Sequence, residues 1–375
     1  MVLRRAWAPS WQGLRQAAPG FALAVALATV ARILAQAVAH GAAGLPKFPL
    51  SPVMCAVLLG MLWRNSVGVP SWATRGLQWT MHRLLRVGIA LVGLRLTLAG
   101  ATAIALTALP VALCCLTVAL LVGAGNVRAL AVPRRLGLLL AIGTAVCGCT
   151  AVVAVSPVIR ARHAETAFAV TCVVLFGCIA MLCYPWIAGH FLAASPLHAG
   201  IFLGTAIHDT SQVIGAALIY SQQAAAPAAL AAASVAKLLR NLSIAVIVPA
   251  AAWWAQRHEE GVSDAPAPDA APAAGRERPP LVPLFVLAFI GFIVVRTAGD
   301  ALFGTAASLW PALINTGYTA SDLFLTCGMT AVGLSVSFTD MWRIGWRPLA
   351  AGFVVATLVG SCSLLLTWGM AHFLT

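Results

Sequence analysis

Charge is what this chain has least of. Charged residues make up 9% of its 375 positions, acidic residues number ten, and lysine occurs only at Lys47 and Lys237, against twenty-one arginines. A soluble globule carries about a quarter of its residues as charge, so that class is excluded. The chain also lacks a GxxxxGKS phosphate loop and any complete catalytic constellation, so it is not read as an enzyme, and no cofactor is expected. Long polar stretches are missing too, apart from GVSDAPAPDAAPAAGRERPP at residues 261–280. What is present is apolar: 61% hydrophobic residues and a mean hydropathy of +0.94, the signature of an all-α polytopic membrane protein.

About eleven hydrophobic stretches approach the length needed to cross a bilayer, centred near residues 28, 57, 90, 112, 146, 174, 208, 240, 289, 330 and 362. The first follows Arg4, Arg5 and Arg15 but has no convincing cleavage site, so it reads as a retained helix. A net charge of +13 invites a nucleic-acid partner, yet no basic stripe alternates with stacking aromatics, and none is expected. Topology accounts for the charge. With the N-terminus inside and eleven spans, the inner segments hold fifteen basic residues and the outer ones four, Lys47, Arg160, Arg162 and Arg296. That is the positive-inside asymmetry of a multi-pass bacterial inner-membrane protein with a cytoplasmic N-terminus. Residues 255–280, beginning just after Trp253 and Trp254 and ending at Pro279 and Pro280, read as a cytoplasmic linker within a single transmembrane domain over 1–375.

Ten cysteines lie almost entirely inside hydrophobic spans, where cysteine packs as a small apolar residue, and no structural disulfide is expected. Cys147 and Cys149 form a CxC that could ligate a soft metal or simply pack at a helix break; no complete ligand set is visible and no metal site is assigned.

Two segments resemble each other inside spans that should be uniformly apolar: GTAVCGCTAVVAV from Gly143 and GTAIHDTSQVIGA from Gly204. Glycine, threonine and polar residues at mid-span weaken a helix and free backbone groups, and such paired interruptions point to a transporter binding site. A second self-similarity, in a different register, relates the segment from Arg86 to that from Thr326 through a VGL core, a polar break and a proline-containing span. Together they suggest internal duplication.

Ionisable residues within spans are few: Arg32, Arg95, Lys237, Arg240 and, beside His208, Asp209. Each is costly unless paired or facing water. Lys237 and Arg240, spaced i,i+3, share one helix face with Ser234 and Asn241 nearby, which fits an anion site, an ion pair with Asp209, or snorkelling. His208 and Asp209 fit a proton-exchanging pair, since imidazole titrates near neutrality; the alternative is hydrogen bonding to freed backbone groups. Arg95 pairs with Asp209 or lines the pathway. Arg160 and Arg162 end their span.

The segments GTAVCGCTAVVAVSPVIRA (143–161), GTAIHDTSQVIGAA (204–217) and VAKLLRNLSIAVIVPA (235–250) resemble the signatures of the YeiH family, bacterial inner-membrane proteins described as sulfate exporters; SPVMCAVLLGMLWRN and AVGLSVSFTDM extend the resemblance to nearly the whole chain. The resemblance implies a fold related to sodium/proton antiporters and bile-acid symporters, with inverted repeats and discontinuous helices. Carried onto this chain, Gly143, Thr144, Cys147 and Gly148 occupy the first motif, Gly204, Thr205, His208 and Gln212 the second, Lys237 and Arg240 the third. Cys149 and Thr150 stand where the family usually has Gly then Ser or Ala, and Asp209 and Thr210 where it often has Glu and a small residue; the shorter acid at 209 shifts its reach by about one methylene.

The expected function is export of a small anion, sulfate or sulfite, by alternating access. Gly143, Thr144, Cys147, Gly148, Gly204, Thr205, Gln212, Lys237 and Arg240 would bind it, and His208 and Asp209 would carry protons. A sodium/proton-type antiporter binding its cation at Asp209 is the alternative; a membrane enzyme or a non-transporting sensor is the reading from another class. Expected partners are a small anion and the bilayer, with a homodimer left open.

Overall fold

The computed structural model describes residues 11–39, 51–259, 284–303, 309–337, 339 and 346–373, and they are mainly helical, with no strand among them. The helices are α1 (Trp11–Ala39), α2 (Pro52–Ser66), α3 (Ser71–Trp79), α4 (Leu85–Val92), α5 (Leu98–Ala129), α6 (Arg134–Ala145), α7 (Cys149–Val155), α8 (His163–Phe191), α9 (Pro196–Ala206), α10 (Thr210–Gln223), α11 (Pro227–Leu242), α12 (Ile244–Glu259), α13 (Leu284–Phe303), α14 (Leu309–Ser335) and α15 (Trp346–Phe373). The linker expected over 255–280 begins within α12 and otherwise lies outside the described residues, as do Lys47, Arg4 and Arg5.

Six helical stretches among the described residues are long and apolar enough to cross a membrane: Ala17–Val38, Leu98–Asn126, Ala164–Phe191, Pro227–Ala251, Leu284–Phe303 and Trp346–Phe373. The other five expected centres fall on helices that do not meet that description, for visible reasons. Near 57, α2 has only 15 residues. Near 90, α3 passes through a π-helical turn at Thr80–Leu84 into α4, which ends in the 3-10 turn Gly93–Arg95. Near 146 and 208 the chain breaks between half-helices. Near 330, α14 is long but carries Asn315, Thr316, Thr319, Ser321 and Asp322.

The chain gathers into two compact units: Met1–Leu91 with Ala307–Phe338, and Val92–Ala306 with Thr339–Thr375. In the first, α2 and α14 pack at the closeness only glycine allows: a Cβ on Gly60 would lie 2.7 Å from the Thr330 carbonyl oxygen, and one on Gly333 2.4 Å from that of Val57. The Ser321 hydroxyl donates to Gly88 O at 2.9 Å, and the Asn65 amide to Val336 O at 3.0 Å. Its core is small, built on Ala24, Leu27, Ala73, Leu77, Ala331 and Leu334.

The second unit holds the larger core, centred on Leu136, Leu139, Leu140, Ile142, Val152 and Val155, with α5, α8 and α15 around it. The Asn126 amide ties α5 to α15 by donating to Ala351 O at 3.0 Å. Each VGL segment, one per unit, ends its helix by the same turn: Leu96 N–H bonds to Gly93 O and Val336 N–H to Gly333 O, both at 3.1 Å.

Candidate functional site

The second unit contains two interrupted helices, α6–α7 and α9–α10, broken at residues 146–148 and 207–209. A broken helix leaves its last carbonyls without amide partners and a partial negative charge at that end. Inside an apolar bundle such groups must find donors. Here the donors come from one face of α11.

Lys237 and Arg240 are fully buried, at 0% and 2% exposure. Lys237 Nζ donates to Val146 O at 2.8 Å, to Ile207 O at 3.2 Å and to His208 O. Arg240 Nε donates to Ala145 O at 3.0 Å; its terminal nitrogens reach Thr144 O, Thr205 O and, at 3.2 Å, Ile207 O. Aligning the two GTA segments at Gly143 and Gly204 makes Thr144 equivalent to Thr205 and Val146 to Ile207. Arg240 serves both threonine carbonyls and Lys237 both carbonyls of the second pair. The sequence repeat is thus a repeat of hydrogen-bonding roles around two shared cations.

The remaining carbonyls of the first break are met locally. Gly143 O accepts from Gly148 N–H at 3.0 Å, and Cys147 O from the Thr150 hydroxyl at 3.1 Å. Gly148 turns the chain at φ 70°, ψ −129°, a conformation that side chains strain, and becomes the N-cap of α7. A Cβ there would also sit 3.0 Å from Asp209 Oδ2. The two breaks therefore touch at Gly148 and Asp209.

Asp209 is the N-cap of α10: its Oδ1 accepts from Ser211 N–H at 2.9 Å and from the Ser211 hydroxyl. A carboxylate at a helix N-terminus satisfies freed N–H groups and suits the positive end of the dipole. Among the described residues the cations meet carbonyls and the carboxylate meets amides. The ion pair with Asp209 considered for Lys237 and Arg240 is not formed here, and their burial rules out snorkelling.

His208 lies at the centre, 1% exposed, and neither ring nitrogen has a hydrogen-bond partner among the described residues. The ring lines a closed pocket, too small to admit a water molecule, with Leu140, Thr144, Cys172, Val173, Phe176 and Gly352.

Two expected site residues sit away from this centre. Gln212 is turned to α8, where its amide donates to Val174 O at 3.0 Å and contacts Cys178 Sγ at 3.3 Å. Gly204 is pressed on α11, where a Cβ would lie 2.6 Å from Ala233 O. Gly143 leaves room for Val152 and Val173. Arg95 is half-buried in its 3-10 turn; Arg160, at φ 50°, and Arg162, the N-cap of α8, close the segment after α7. Among the described residues no three His, Cys, Asp or Glu side chains are grouped to hold a metal ion.

The sequence reading missed Ser363. Its hydroxyl lies 2.7 Å from that of Thr205 and 3.3 Å from Phe202 O, fixing α15 to α9. A polar GSCS inside an otherwise apolar span was the available signal.

Six apolar helices, two broken ones and buried charges at their breaks define a polytopic helical membrane protein. The chain belongs to the family described as Conserved hypothetical protein 698, whose model matches residues 19–352. It is similar to UPF0324 membrane proteins: 28% identical over 358 residues to one from Bacillus cereus (strain ATCC 10987), covering 94% of this chain and 91% of that one. One from Ralstonia nicotianae is 33% identical over 316 residues, 82% of each chain. One from Bordetella bronchiseptica is 31% identical over 317 residues, 82% of this chain and 90% of that one. No solved structure matches the chain.

Proposed function

We propose that the protein is a secondary transporter that exports a small inorganic anion, sulfate or sulfite, across the bacterial inner membrane by alternating access. One observation carries the reading: two buried cations, Lys237 and Arg240, and a single carboxylate, Asp209, which forms no ion pair with either, lie where the two broken helices come together. The partial charges of the helix ends cancel, since two negative and two positive ends converge there, so a net charge of about +1 remains. That potential attracts an anion even though the cations' N–H groups are engaged by carbonyls. Direct contacts would come from the Thr144 side chain and the His208 ring once the helices part, since the space between them is closed here. Protonation of His208 is opposed by its burial and the two neighbouring cations unless a doubly charged anion is bound beside it, so anion and proton would move together.

In this reading the eleven hydrophobic stretches all contribute to the membrane domain, the N-terminus is cytoplasmic, and the two breaks belong to inverted repeats. A second reading has its own support: Asp209 Oδ2 faces Gly148 where the two breaks touch, and a carboxylate oxygen there would supply one ligand to sodium. Flux of labelled sulfate, sulfite and sodium into proteoliposomes under an imposed pH gradient separates the two. The anion reading expects sulfate or sulfite flux driven by the gradient and lost in His208→Ala. Sodium flux without either anion would replace it with cation/proton antiport.

A further inference from the structure

The first unit carries an unexplained cation. Arg32 lies within the apolar span Ala17–Val38, is exposed, and has no hydrogen-bond or ion-pair partner among the described residues. It borders a pocket of about 240 Å³ between α1 and α14, lined by Val25, Ala28, Thr29, Ile33, Gln36, Leu323 and Cys327. Thr29, Arg32 and Gln36 follow one another at helical spacing on one face, and the apolar neighbours Ile33 and Leu323 are 59% and 43% exposed.

Depth selects the ligand. Arg32 stands six residues before Val38, about 9 Å from that end of the span at 1.5 Å per residue. A guanidinium on its flexible stem reaches the headgroup layer from there. What lies in that layer and carries negative charge is phosphate. The lining combines a polar stripe, Thr29, Arg32 and Gln36, with the apolar neighbours Val25, Ala28, Ile33 and Leu323, the two chemistries that a headgroup and its acyl chain require.

We infer that this pocket binds an acidic phospholipid, with Arg32 holding its phosphate through paired N–H donors and Val25, Ala28, Ile33 and Leu323 receiving an acyl chain. A zwitterionic lipid fits less well, because its own ammonium competes for the phosphate. A second copy of the chain fits worse: a twofold contact on this face would bury two copies of the Arg32 charge. The inference is independent of the cargo carried by the second unit.

The test is native mass spectrometry of the full chain released from nanodiscs of mixed phosphatidylglycerol and phosphatidylcholine, comparing wild type with Arg32→Gln and Arg32→Lys. Wild type should retain phosphatidylglycerol over phosphatidylcholine about tenfold more than Arg32→Gln, the loss of a bidentate charged contact, with Arg32→Lys intermediate. Equal retention in wild type and Arg32→Gln overturns the proposal. So does displacement of the signal by millimolar inorganic phosphate, which marks a free-anion site, or a lipid-free dimer abolished by Arg32→Gln, which marks a copy interface. Leu323→Trp supplies a second route if Arg32→Gln does not fold: it fills the cleft with Arg32 intact and should lower retention, and unchanged retention there also overturns the proposal.

Discussion

The two interrupted helices start alike and end differently. Up to the break they are interchangeable: Thr144 and Thr205 give their carbonyls to Arg240, Val146 and Ile207 give theirs to Lys237. Beyond it they diverge, since Cys147 and Gly148 occupy one break where His208 and Asp209 occupy the other. The first break closes on itself through Thr150 and a left-handed glycine. The second exposes an ionisable pair to the centre of the unit. Shared features are those any broken buried helix needs, namely capped carbonyls; the unshared ones are free to serve chemistry. Lys237 and Arg240 are therefore first of all the groups that make the crossing foldable, and their charge is what the site inherits.

The strongest way to break the comparison is to remove the shared cap. Arg240→Ala uncaps Thr144 O, Ala145 O and Thr205 O together, and losing one partner of a buried charged network costs about 3–5 kcal/mol. The expected outcome is loss of monodisperse protein in detergent, read by size exclusion and thermal melting. Arg240→Lys should recover only part of it, because one ammonium cannot span both helix ends. A monodisperse Arg240→Ala with an unchanged melting temperature would mean the carbonyls are satisfied some other way.

A smaller effect separates the two breaks. Gly148→Ala must hold a backbone conformation side chains avoid and place its Cβ 3.0 Å from Asp209 Oδ2. A cost of about 2 kcal/mol follows from the strain. Adding Asp209→Asn should leave most of that cost, since asparagine keeps the cap's shape; full recovery would locate the clash in charge rather than in backbone.

Much of this site was legible in the residues. GTA followed by polar residues at mid-span implies a break, and a lysine and an arginine at i,i+3 in another span imply something for them to meet. What they meet was not legible, because a cation bound by main-chain oxygen leaves no side-chain partner in the sequence. Ser363 was hidden for a related reason: it lies 158 residues from Thr205, and only packing brings the two hydroxyls together. The small and polar residues mark both breaks, but where each helix ends and restarts, at Ala145 and Cys149 and at Ala206 and Thr210, is set by the carbonyl caps that only the structure shows.

The paired threonines sharpen the comparison at about 1 kcal/mol. Thr205→Val removes the buried hydroxyl contact to Ser363, the size of one ordinary hydrogen bond, and should lower stability by about that amount. Thr144→Val acts in the pocket beside His208, so its effect should fall on flux. The reverse assignment, flux lost in Thr205→Val and stability in Thr144→Val, would dissolve the division between a structural and a chemical arm.

The smallest expected change in stability belongs to His208, and it is the most telling. Both ring nitrogens lack partners, so His208→Gln breaks no hydrogen bond of the ring; the Lys237 contact is to the main-chain oxygen and survives. Stability should stay within about 1 kcal/mol of wild type. Flux should instead lose its response to an imposed pH gradient while flux down an anion gradient persists, because glutamine can donate and accept hydrogen bonds but cannot carry a proton. If His208→Gln keeps the pH response, the coupling group is elsewhere, and Asp209 becomes the residue to neutralise next. If it collapses the fold, the orphaned ring is a packing element, and the chemical difference between the two breaks reduces to Asp209 alone.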